Sequence, residues 1–314
     1  MAENGISVVA PLYNEENLVE ILYQRLKNAL KEYPNHEIVL VNDGSSDRTM
    51  EILCELAQRD PLLVVLELSR NFGHQAALFA GLCEASKETI ITMDGDLQDP
   101  PELIPVLLAE QAKGAEVVIA MRRTRKERGV RLALFELFHA VFRWMSDTPI
   151  NSSGTFGLLS SRAARQIIRL QEHSRYFPGL RNWIGYRQQI IWYDREERVA
   201  GKPKQSLASL LRMGFDAVFS FSYKPLRISW LTGMVISILS FLYGLTLLIL
   251  RMGNINVVSG FTTVAVAVFF LGGIQLISLG MMGEYILRIY DESKNRPHFI
   301  VSRKISRDGV QDES

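Results

Sequence analysis

The feature that most constrains this 314-residue chain is a stretch toward its C-terminal end that is almost free of charge. Residues 228–287 contain two charged side chains in 60 positions, Arg251 and Glu284, whereas the other 254 positions hold 67 of the chain's 69. Residues 228–250 and 257–283 are uncharged runs of 23 and 27 residues. Each exceeds the roughly 20 residues that a helix needs to cross a bilayer. We therefore expect two transmembrane helices, and these lengths disfavour a helical hairpin buried in a soluble core.

The basic residues around these two segments predict their orientation. The connection 251–256 holds one basic residue, Arg251, whereas both outer flanks are rich in them. The positive-inside rule then places both chain termini in the cytoplasm and the short connection outside. Small residues in the second segment predict close packing within the hairpin or between the protomers of a homo-oligomer. The flanking basic residues are Lys224, Arg227, Arg288, Lys294, Arg296, Arg303 and Lys304, and the small residues are Gly272, Gly273, Gly280 and Gly283.

The overall composition excludes several classes of protein. A formal net charge of +1 argues against a globally basic nucleic-acid-binding protein and against a strongly acidic disordered chain. Two cysteines, Cys54 and Cys83, cannot build a disulfide framework, and we expect both to be small buried apolar residues of helices in a reducing compartment. The first residues carry no basic cluster and the apolar run at 6–12 is short, so we expect no signal peptide.

Residues 5–121 alternate between short apolar runs and helical patterns. Runs rich in Val, Ile and Leu with little polar alternation are typical of parallel strands buried on both faces. Between them, apolar residues recur at three- and four-residue spacing, as in amphipathic helices. This alternation predicts a doubly wound α/β domain with a mostly parallel sheet. The predicted strands are 6–10, 37–41, 62–68, 88–93 and 116–121, and the predicted helices are about 15–32, 47–59, 73–86 and 102–113.

Polar turns that contain acidic residues follow three of the predicted strands. Ligands of doubly wound domains bind outside the carboxyl ends of the strands, so we expect the turns to converge at one edge of the sheet. Like charges gathered there repel each other unless a cation or hydrogen-bond donors lie between them. A single acidic turn is usually a helix N-cap, which is our interpretation of Asp47. The turns are Pro-Leu-Tyr-Asn-Glu at 11–15, Asn-Asp-Gly-Ser-Ser-Asp at 42–47 and Asp-Gly-Asp-Leu-Gln-Asp at 94–99.

The third turn carries the most specific signal. Asp94 and Asp96 are separated by one glycine at a strand end, an arrangement that can present two carboxylates to a hard divalent cation. Mg²⁺ uses few protein ligands and completes its coordination with water and phosphate oxygens. The pattern therefore predicts a site for Mg²⁺ or Mn²⁺ together with a diphosphate.

The three turns together resemble the signature motifs of the family 2 glycosyltransferases, which have the GT-A fold. The segment Leu-Ser-Arg-Asn-Phe-Gly-His at 68–74, the segment 198–204 and the two apolar segments narrow the resemblance to the branch that uses polyprenyl phosphates. That branch includes dolichyl-phosphate mannose synthase and the bactoprenol glucosyltransferases. The resemblance covers nearly all of residues 5–290. It implies a metal-dependent hexosyltransferase of the bacterial cytoplasmic membrane that inverts the anomeric carbon.

The resemblance also implies roles for individual residues. Asp94 would contact the nucleotide, while Asp96 and Gln98 would bind Mg²⁺ or Mn²⁺. The uridine and ribose of a UDP-sugar would be held by Pro11, Tyr13, Asn14, Glu15, Asp43 and Ser46. Two positions depart from the pattern of the family. Thr155 stands where relatives often have an acidic or bulky residue, so we assign it only a weak role near the donor sugar, and Pro203 lacks a backbone donor.

A basic segment and two amphipathic patterns predict where a lipid acceptor would bind. Residues 121–131 carry six basic side chains against one acid, and apolar residues recur at helical spacing over about 131–147 and 206–222. We expect two helices in the membrane interface there, although each could be an ordinary core-facing helix and the middle of the basic run could be a solvated face. Arginine offers a planar fork to a phosphate, and lysine a point charge. The candidates for the acceptor phosphate are Arg122, Arg128, Arg131, Arg198 and Lys202.

We thus expect a nucleotide-sugar-binding core at 1–130, an acceptor-side part at 131–227, two transmembrane helices within 228–287 and a cytoplasmic tail at 288–314. The tail could form a strand near 298–302 that joins a neighbouring subunit's sheet. The expected reaction moves a sugar, with glucose favoured, from UDP to polyprenyl phosphate. GDP-mannose, UDP-N-acetylglucosamine or UDP-galactose as the donor, or a non-catalytic nucleotide-binding membrane anchor, are the alternatives. The expected catalytic residues are Asp94, Asp96, Arg122 and Arg198.

Overall fold

The structure is a computed structural model, and it describes residues 5–122, 154–170, 172, 176–193, 224–252, 260–307 and 309–312. These residues belong to two units, an α/β unit that includes the C-terminal strands and a unit that contains two long helices. Both predicted interface helices lie outside the described residues. So do four predicted acceptor residues and one departure from the family pattern, namely Arg128, Arg131, Arg198, Lys202 and Pro203.

The described part of the α/β unit alternates strands and helices as the sequence predicts. Each of the five predicted strands and four predicted helices is present, with the strand ends displaced by two residues at most. The strands are β1 (Ile6–Leu12), β2 (His36–Asn42), β3 (Leu63–Leu68), β4 (Thr89–Thr92), β5 (Val117–Arg122), β6 (Gly157–Ser160), β7 (Gln188–Tyr193), β8 (Val301–Ser306) and β9 (Gly309–Asp312). The helices are α1 (Val19–Ala29), α2 (Thr49–Arg59), α3 (His74–Glu84), α4 (Ile104–Ala112), α5 (Ser161–Arg169) and α6 (Phe177–Trp183), and a 3₁₀ turn covers Pro101–Leu103.

The strands form one mixed sheet in the order β7-β5-β6-β4-β1-β2-β3-β8-β9. Its centre is parallel, since β1 pairs in parallel with both β2 and β4, and β2 pairs in parallel with β3. The chain runs from β1 outward through β2 and β3, and β4 then adds to the other side of β1. The strand order therefore reverses between β1 and β4, which is the place where doubly wound sheets bind their ligands.

The C-terminal tail forms a strand, β8, but it lies later than the predicted 298–302, which it overlaps only at residues 301 and 302, and its partner differs from the hypothesis. β8 pairs antiparallel with β3 of its own chain, and not with a neighbouring subunit as the sequence suggested. An ion pair between Arg303 and Glu67 at 2.8 Å joins the two strands, and another between Lys304 and Glu84 at 2.5 Å joins β8 to α3. The edge of β3 offers unpaired backbone groups, and the tail of the same chain satisfies them.

Close packing of α3 on the sheet places the start of that helix at the carboxyl edge. Its residues from Ala77 to Leu82 are buried. A β-carbon added at Gly81 would lie 2.3 Å from Val9 Cγ1 and 3.0 Å from Val41 Cγ2, so the helix backbone lies directly on two central strands. No other residue allows this distance, because every other residue carries a β-carbon.

The second unit contains α7 (Lys224–Met252) and α8 (Phe261–Ser293), which cover most of the two predicted apolar segments. Ser229 Oγ and Ser278 Oγ are hydrogen-bonded at 3.0 Å between the helices, and Glu284 pairs with Arg288 at 2.9 Å. Among the described residues, one helical stretch, Phe270–Ser293, is long and apolar enough to cross a membrane, and Ser229–Tyr243 is a shorter apolar stretch. The two helices are confirmed, and two complete crossings stay a prediction.

Replacing Gly81 with alanine should weaken the α/β unit. The added methyl group would overlap Val9, whose β-branched side chain cannot move away easily, so we expect a loss of about 1–3 kcal/mol in the free energy of unfolding. The melting temperature of the purified protein measures this. Cys83, in the same helix, is exposed and Cys54 is only partly buried, so the expectation that both cysteines are buried is wrong. Cys83→Ala is therefore the control and should change stability by less than about 0.5 kcal/mol. Equal melting temperatures for the two variants would contradict the close packing.

Candidate active site

The turns after β1 and β2 are joined by reciprocal hydrogen bonds. The backbone N–H of Asn14 donates to Ser45 Oγ at 2.9 Å, and the backbone N–H of Ser46 donates to Asn14 Oδ1 at 2.8 Å. The N–H of Glu15 donates to Thr49 Oγ1 at 2.9 Å. Asn14 has a positive φ of 52°, a conformation that asparagine adopts more readily than most residues. The structure thus brings Asn14, Glu15 and Ser46 together, as the sequence predicts.

Two other predicted nucleotide-binding residues, Pro11 and Tyr13, lie around these joined turns, together with Asp47, the predicted helix N-cap. Pro11 is buried in β1, and Tyr13, just beyond the strand, is 42% exposed and available for stacking or hydrogen bonding. Asp47 accepts hydrogen bonds from the backbone N–H groups of Glu16 and Thr49, at 3.1 and 3.0 Å, immediately before α2. Asp47 thus stabilises the start of α2, but its interpretation as the N-cap is wrong, because the N-cap residue is Arg48.

Asp43, at the end of β2, organises the loop that leads into α3. Its two carboxylate oxygens accept the backbone N–H groups of Phe72 and Gly73 at 2.8 and 3.0 Å. Burial raises the pKa of Asp43 above its ordinary value, even though these two hydrogen bonds oppose the change. The sequence predicts a nucleotide contact here, but not this structural role. Because each carboxylate oxygen can accept more than one hydrogen bond, the two roles are compatible.

The turn after β4 packs directly against the end of β1. A β-carbon added at Gly95 would lie 2.4 Å from Leu12 Cδ2 and 2.7 Å from the carbonyl oxygen of Pro11. The glycine between the two aspartates is thus required by the close approach of another strand. Consequently Asp94 and Asp96 are held at the position where the strand order reverses.

Asp94 is surrounded by three donors from separate parts of the chain. His74 Nε2, at the first residue of α3, lies 3.4 Å from Oδ1, and Arg122 Nη2, at the end of β5, lies 3.6 Å from Oδ2. The hydroxyl of Thr155 donates a short hydrogen bond to Oδ1. Burial alone would raise the pKa of Asp94, but the hydrogen bond and charge of His74, with Thr155 and Arg122, outweigh burial and lower it. Asp94 therefore stays ionised.

Two of these three donors differ from the sequence-based expectation. Thr155 was expected to have only a weak role near the donor sugar, yet it contacts Asp94 directly. His74 was not among the predicted site residues, although it ends the segment 68–74 that supports the family resemblance. Its position at the start of a helix that follows a polar loop was a usable signal. Burial alone would lower the pKa of His74, but the carboxylates around it, Asp94 above all, raise it.

Arg122 is held by Asp99, which ends the third predicted turn but was given no role, and by Tyr193, which the sequence did not indicate. Its Nη2 donates to Asp99 Oδ1 at 2.8 Å, and its Nε lies 3.0 Å from the hydroxyl oxygen of Tyr193 on β7. The Tyr193 hydroxyl also donates a short hydrogen bond to Asp99 Oδ1. Asp99 is completely buried and Tyr193 is nearly so. Arg122 thus lies at the predicted site. The edge of its guanidinium that carries Nε and Nη2 is held by Tyr193 and Asp99.

The predicted metal ligands lie in the turn after β4. The backbone N–H of Gln98 donates to Asp96 Oδ1 at 3.2 Å, and the Gln98 side chain is buried, with no hydrogen-bond partner for Nε2 among the described residues. Carboxylate and amide oxygens are suitable ligands for Mg²⁺ or Mn²⁺, and two of them leave positions for diphosphate oxygens and water. In the described part of the chain, no group of three or more His, Cys, Asp or Glu could hold a metal. The residues present therefore fit a metal that is shared with a phosphate ligand.

The family model "Glycosyl transferase family 2" matches residues 7–169, which is just over half of the chain. This chain belongs to glycosyl transferase family 2. The mostly parallel α/β unit is accordingly a GT-A core.

Family 2 relatives are similar over almost the whole chain. An "Uncharacterized glycosyltransferase YkcC" of Bacillus subtilis is 39% identical over 95% of this chain and 93% of its own length. A "Bactoprenol glucosyl transferase" of Shigella phage SfV is 39% identical over 95% of this chain and 98% of its own length. Among solved structures, glucosyl-3-phosphoglycerate synthase from Mycobacterium tuberculosis in complex with Mn²⁺, UDP and phosphoglyceric acid is 19% identical, with a TM-score of 0.48 over 69% of this chain and 77% of that one. The family assignment depends on the family model and the sequence relatives alone.

The pairing of His74 with Asp94 predicts a pH-dependent contribution to stability. A histidine whose pKa is raised by folding stabilises the protein below its unfolded pKa, about 6.5, and this contribution is lost as pH rises through the folded pKa. Asp94, whose pKa is lowered, stays ionised over this range. The melting temperature of the wild type should therefore exceed that of His74→Gln by more at about pH 6 than at about pH 9. A difference that does not change with pH would contradict the pairing.

Proposed function

We propose that this family 2 glycosyltransferase moves a sugar, with glucose as the expected sugar, from a UDP-sugar to the phosphate of undecaprenyl phosphate. The observation that carries the proposal is the position of Arg122 beside Asp94, at 3.6 Å. Asp94 belongs to the acidic turn that would bind the nucleotide sugar, and Arg122 is a cation that can bind a second anion. Relatives from Shigella phage SfV and from Shigella flexneri, each 39% identical over 95% of this chain, are called bactoprenol glucosyl transferases.

The joined turns after β1 and β2 support the donor half of this proposal. Tyr13, Asn14 and Ser46 lie at the carboxyl edge, where doubly wound sheets bind nucleotides. The exposed Tyr13 ring offers a surface for a base, and the polar groups around Ser46 offer partners for a ribose. Pro11, Glu15 and Asp43 would support the same nucleotide from the strand ends.

Asp96 and Gln98 would hold Mg²⁺ or Mn²⁺ in this proposal. When bound, such an ion offsets the negative charge of the diphosphate and so makes UDP a better leaving group. The two side chains supply oxygen ligands, as a hard cation requires, and the close contact of Gly95 with β1 fixes the turn that carries them.

The acceptor explains why the site needs no dedicated general base. A phosphate monoester has a second pKa near 6, so the attacking oxygen is already largely deprotonated at neutral pH. The remaining difficulty is to bring one anion against another, and the guanidinium of Arg122 would offset that repulsion and orient the phosphate. Direct attack on the anomeric carbon would invert its configuration. The predicted partners of Arg122 in this task are Arg128, Arg131, Arg198 and Lys202.

The helices α7 and α8 support a membrane location for the reaction. Their side chains are apolar and widely exposed, for example Phe241 at 72% and Leu276 at 71%, as expected for surfaces that contact lipid. We propose that both helices cross the bacterial cytoplasmic membrane, with the α/β unit and both termini in the cytoplasm. The hydrocarbon chain of the acceptor would then lie in the membrane, as α7 and α8 would, and its phosphate would face the cytoplasm, as the α/β unit would.

Incubating membranes that contain the protein with radiolabelled UDP-glucose tests the reaction directly. We expect label in a lipid-extractable product that mild acid releases, and an increase in that product when undecaprenyl phosphate is added. Parallel incubations with UDP-galactose, UDP-N-acetylglucosamine and GDP-mannose identify the donor. Absence of labelled lipid with all four donors would favour a non-catalytic nucleotide-binding anchor.

Replacing Asp96 with alanine should abolish transfer without affecting expression or membrane insertion, because the variant loses a ligand of the metal that neutralises the diphosphate. The expected decrease in turnover is about 10³-fold or more. Glu55→Ala removes an exposed carboxylate of α2 and is the control, with activity expected to stay near that of the wild type. Near-normal turnover of UDP-glucose by the Asp96 variant would overturn the metal assignment.

A further inference from the structure

A buried aspartate in the core shows how this fold uses a carboxylate for stability. Tyr23 and Lys27 both donate to Asp60 Oδ2, at 2.8 and 2.9 Å, and the backbone N–H of Leu62 donates to Oδ1 at 3.0 Å. Burial alone would raise the pKa of Asp60, but the hydrogen bonds from Lys27, Leu62 and Tyr23 outweigh burial and lower it. Both oxygens have partners, as expected for a buried carboxylate that stabilises a fold. We call Tyr23, Lys27 and Asp60 the core triad.

Tyr193, Arg122 and Asp99 form a second triad of the same chemical type, the site triad. Arg122 Nη2 and Nε donate to Asp99 Oδ1 at 2.8 and 3.3 Å, and the Tyr193 hydroxyl donates to the same oxygen. Oδ2 of Asp99 is buried and has no hydrogen-bond partner among the residues that the structure describes. Burial raises the pKa of Asp99, as does the charge of Asp94, although Arg122 and Tyr193 oppose the change.

The core triad is therefore better suited to stabilise the fold than the site triad. An unpaired oxygen on a completely buried carboxylate is unfavourable, and the core triad shows that this fold can satisfy both oxygens. All three donors of the site triad instead meet at one oxygen of Asp99. This arrangement holds the guanidinium of Arg122 by Nε and Nη2, while the Arg122 side chain stays 31% exposed and within 3.6 Å of Asp94.

We propose that Tyr193 and Asp99 are positioning residues that hold the Arg122 guanidinium beside Asp94 in the orientation that binds the acceptor phosphate. An arginine held in this way loses less conformational freedom when the anion arrives, so affinity for the acceptor rises without a new contact. The inference rests on the proposed function, because it assigns the held arginine to the acceptor of that reaction.

Tyr193→Phe tests the proposal, because it removes the hydroxyl and keeps the ring, which packs edge to face against Phe156 with centroids 5.7 Å apart. We expect the KM for undecaprenyl phosphate to rise about tenfold. The KM for UDP-glucose should stay within about twofold of the wild-type value, since the nucleotide is bound by other strands. An unchanged acceptor KM, or an equal rise in both KM values, would overturn the proposal.

Tyr23→Phe is the matched control, since it removes the equivalent hydroxyl from the core triad. Both variants should lower the melting temperature, because each loses a buried hydrogen bond. Only Tyr193→Phe should change the acceptor KM. If Tyr23→Phe raises that KM to the same extent, general loosening of the fold explains the effect and the positioning role is wrong.

A double-mutant cycle with Arg122→Lys tests whether Tyr193 acts through the arginine. Lysine keeps the charge but lacks the fork that Tyr193 and Asp99 hold. In the Arg122→Lys background, Tyr193→Phe should change the acceptor kcat/KM by less than about twofold. Independent, multiplicative losses would contradict the proposal.

These outcomes are distinct from failure of the proposed function. If wild-type membranes form no glucosylated lipid phosphate, the proposed function is wrong. If they form it, but Tyr193→Phe leaves the acceptor KM unchanged while Arg122→Lys raises it, only the positioning role is wrong.

Discussion

Three aspartates gathered at one edge of a parallel sheet are the constraint on which the rest of the site depends. Asp43, Asp94 and Asp99 would repel one another if they were all ionised without compensation. Each has a different compensation: two backbone N–H groups for Asp43, three side-chain donors for Asp94, and Arg122 with Tyr193 for Asp99. The donors arrive from loops and strands that are far apart in sequence, so the site requires the whole sheet to be assembled.

The sheet creates this edge through close approach of backbones. Gly95 allows the turn after β4 to contact the end of β1, and Gly81 allows α3 to lie directly on the central strands. α3 in turn places His74 beside Asp94. The reversal of strand order between β1 and β4 thus becomes a site whose charges are fixed before any ligand binds. Such preorganisation is the main electrostatic resource of a transferase that handles two anions.

The sequence predicted the strands and helices of the core well, because their hydrophobic periodicity is strong and each lies within a single βαβ unit. It also located the turns that contain Asn14, Asp43 and Asp94. It did not assign site roles to His74, Asp99 or Tyr193, and it did not predict the contact between Thr155 and Asp94. Each of these four residues matters through a partner 20 or more positions away in the chain, and no local pattern indicates such a partner. A strand in the tail was predicted several residues too early, at 298–302 and not at Val301–Ser306. Its partner was not predicted, because an exposed strand edge can be completed by any chain.

By itself, the sequence determined that the chain has two parts that differ sharply in charge content. The shortage of charge in residues 228–287 and the alternating runs of residues 5–121 are visible in the sequence alone, because each depends on local composition and spacing. Family membership follows in the same way from local motifs and overall similarity. Only the tertiary structure decided which charges meet: that Arg122 is shared between Asp94 and Asp99, and that Tyr193 holds it there. Charge pairing depends on distances of a few ångströms between residues that only the folded sheet brings together.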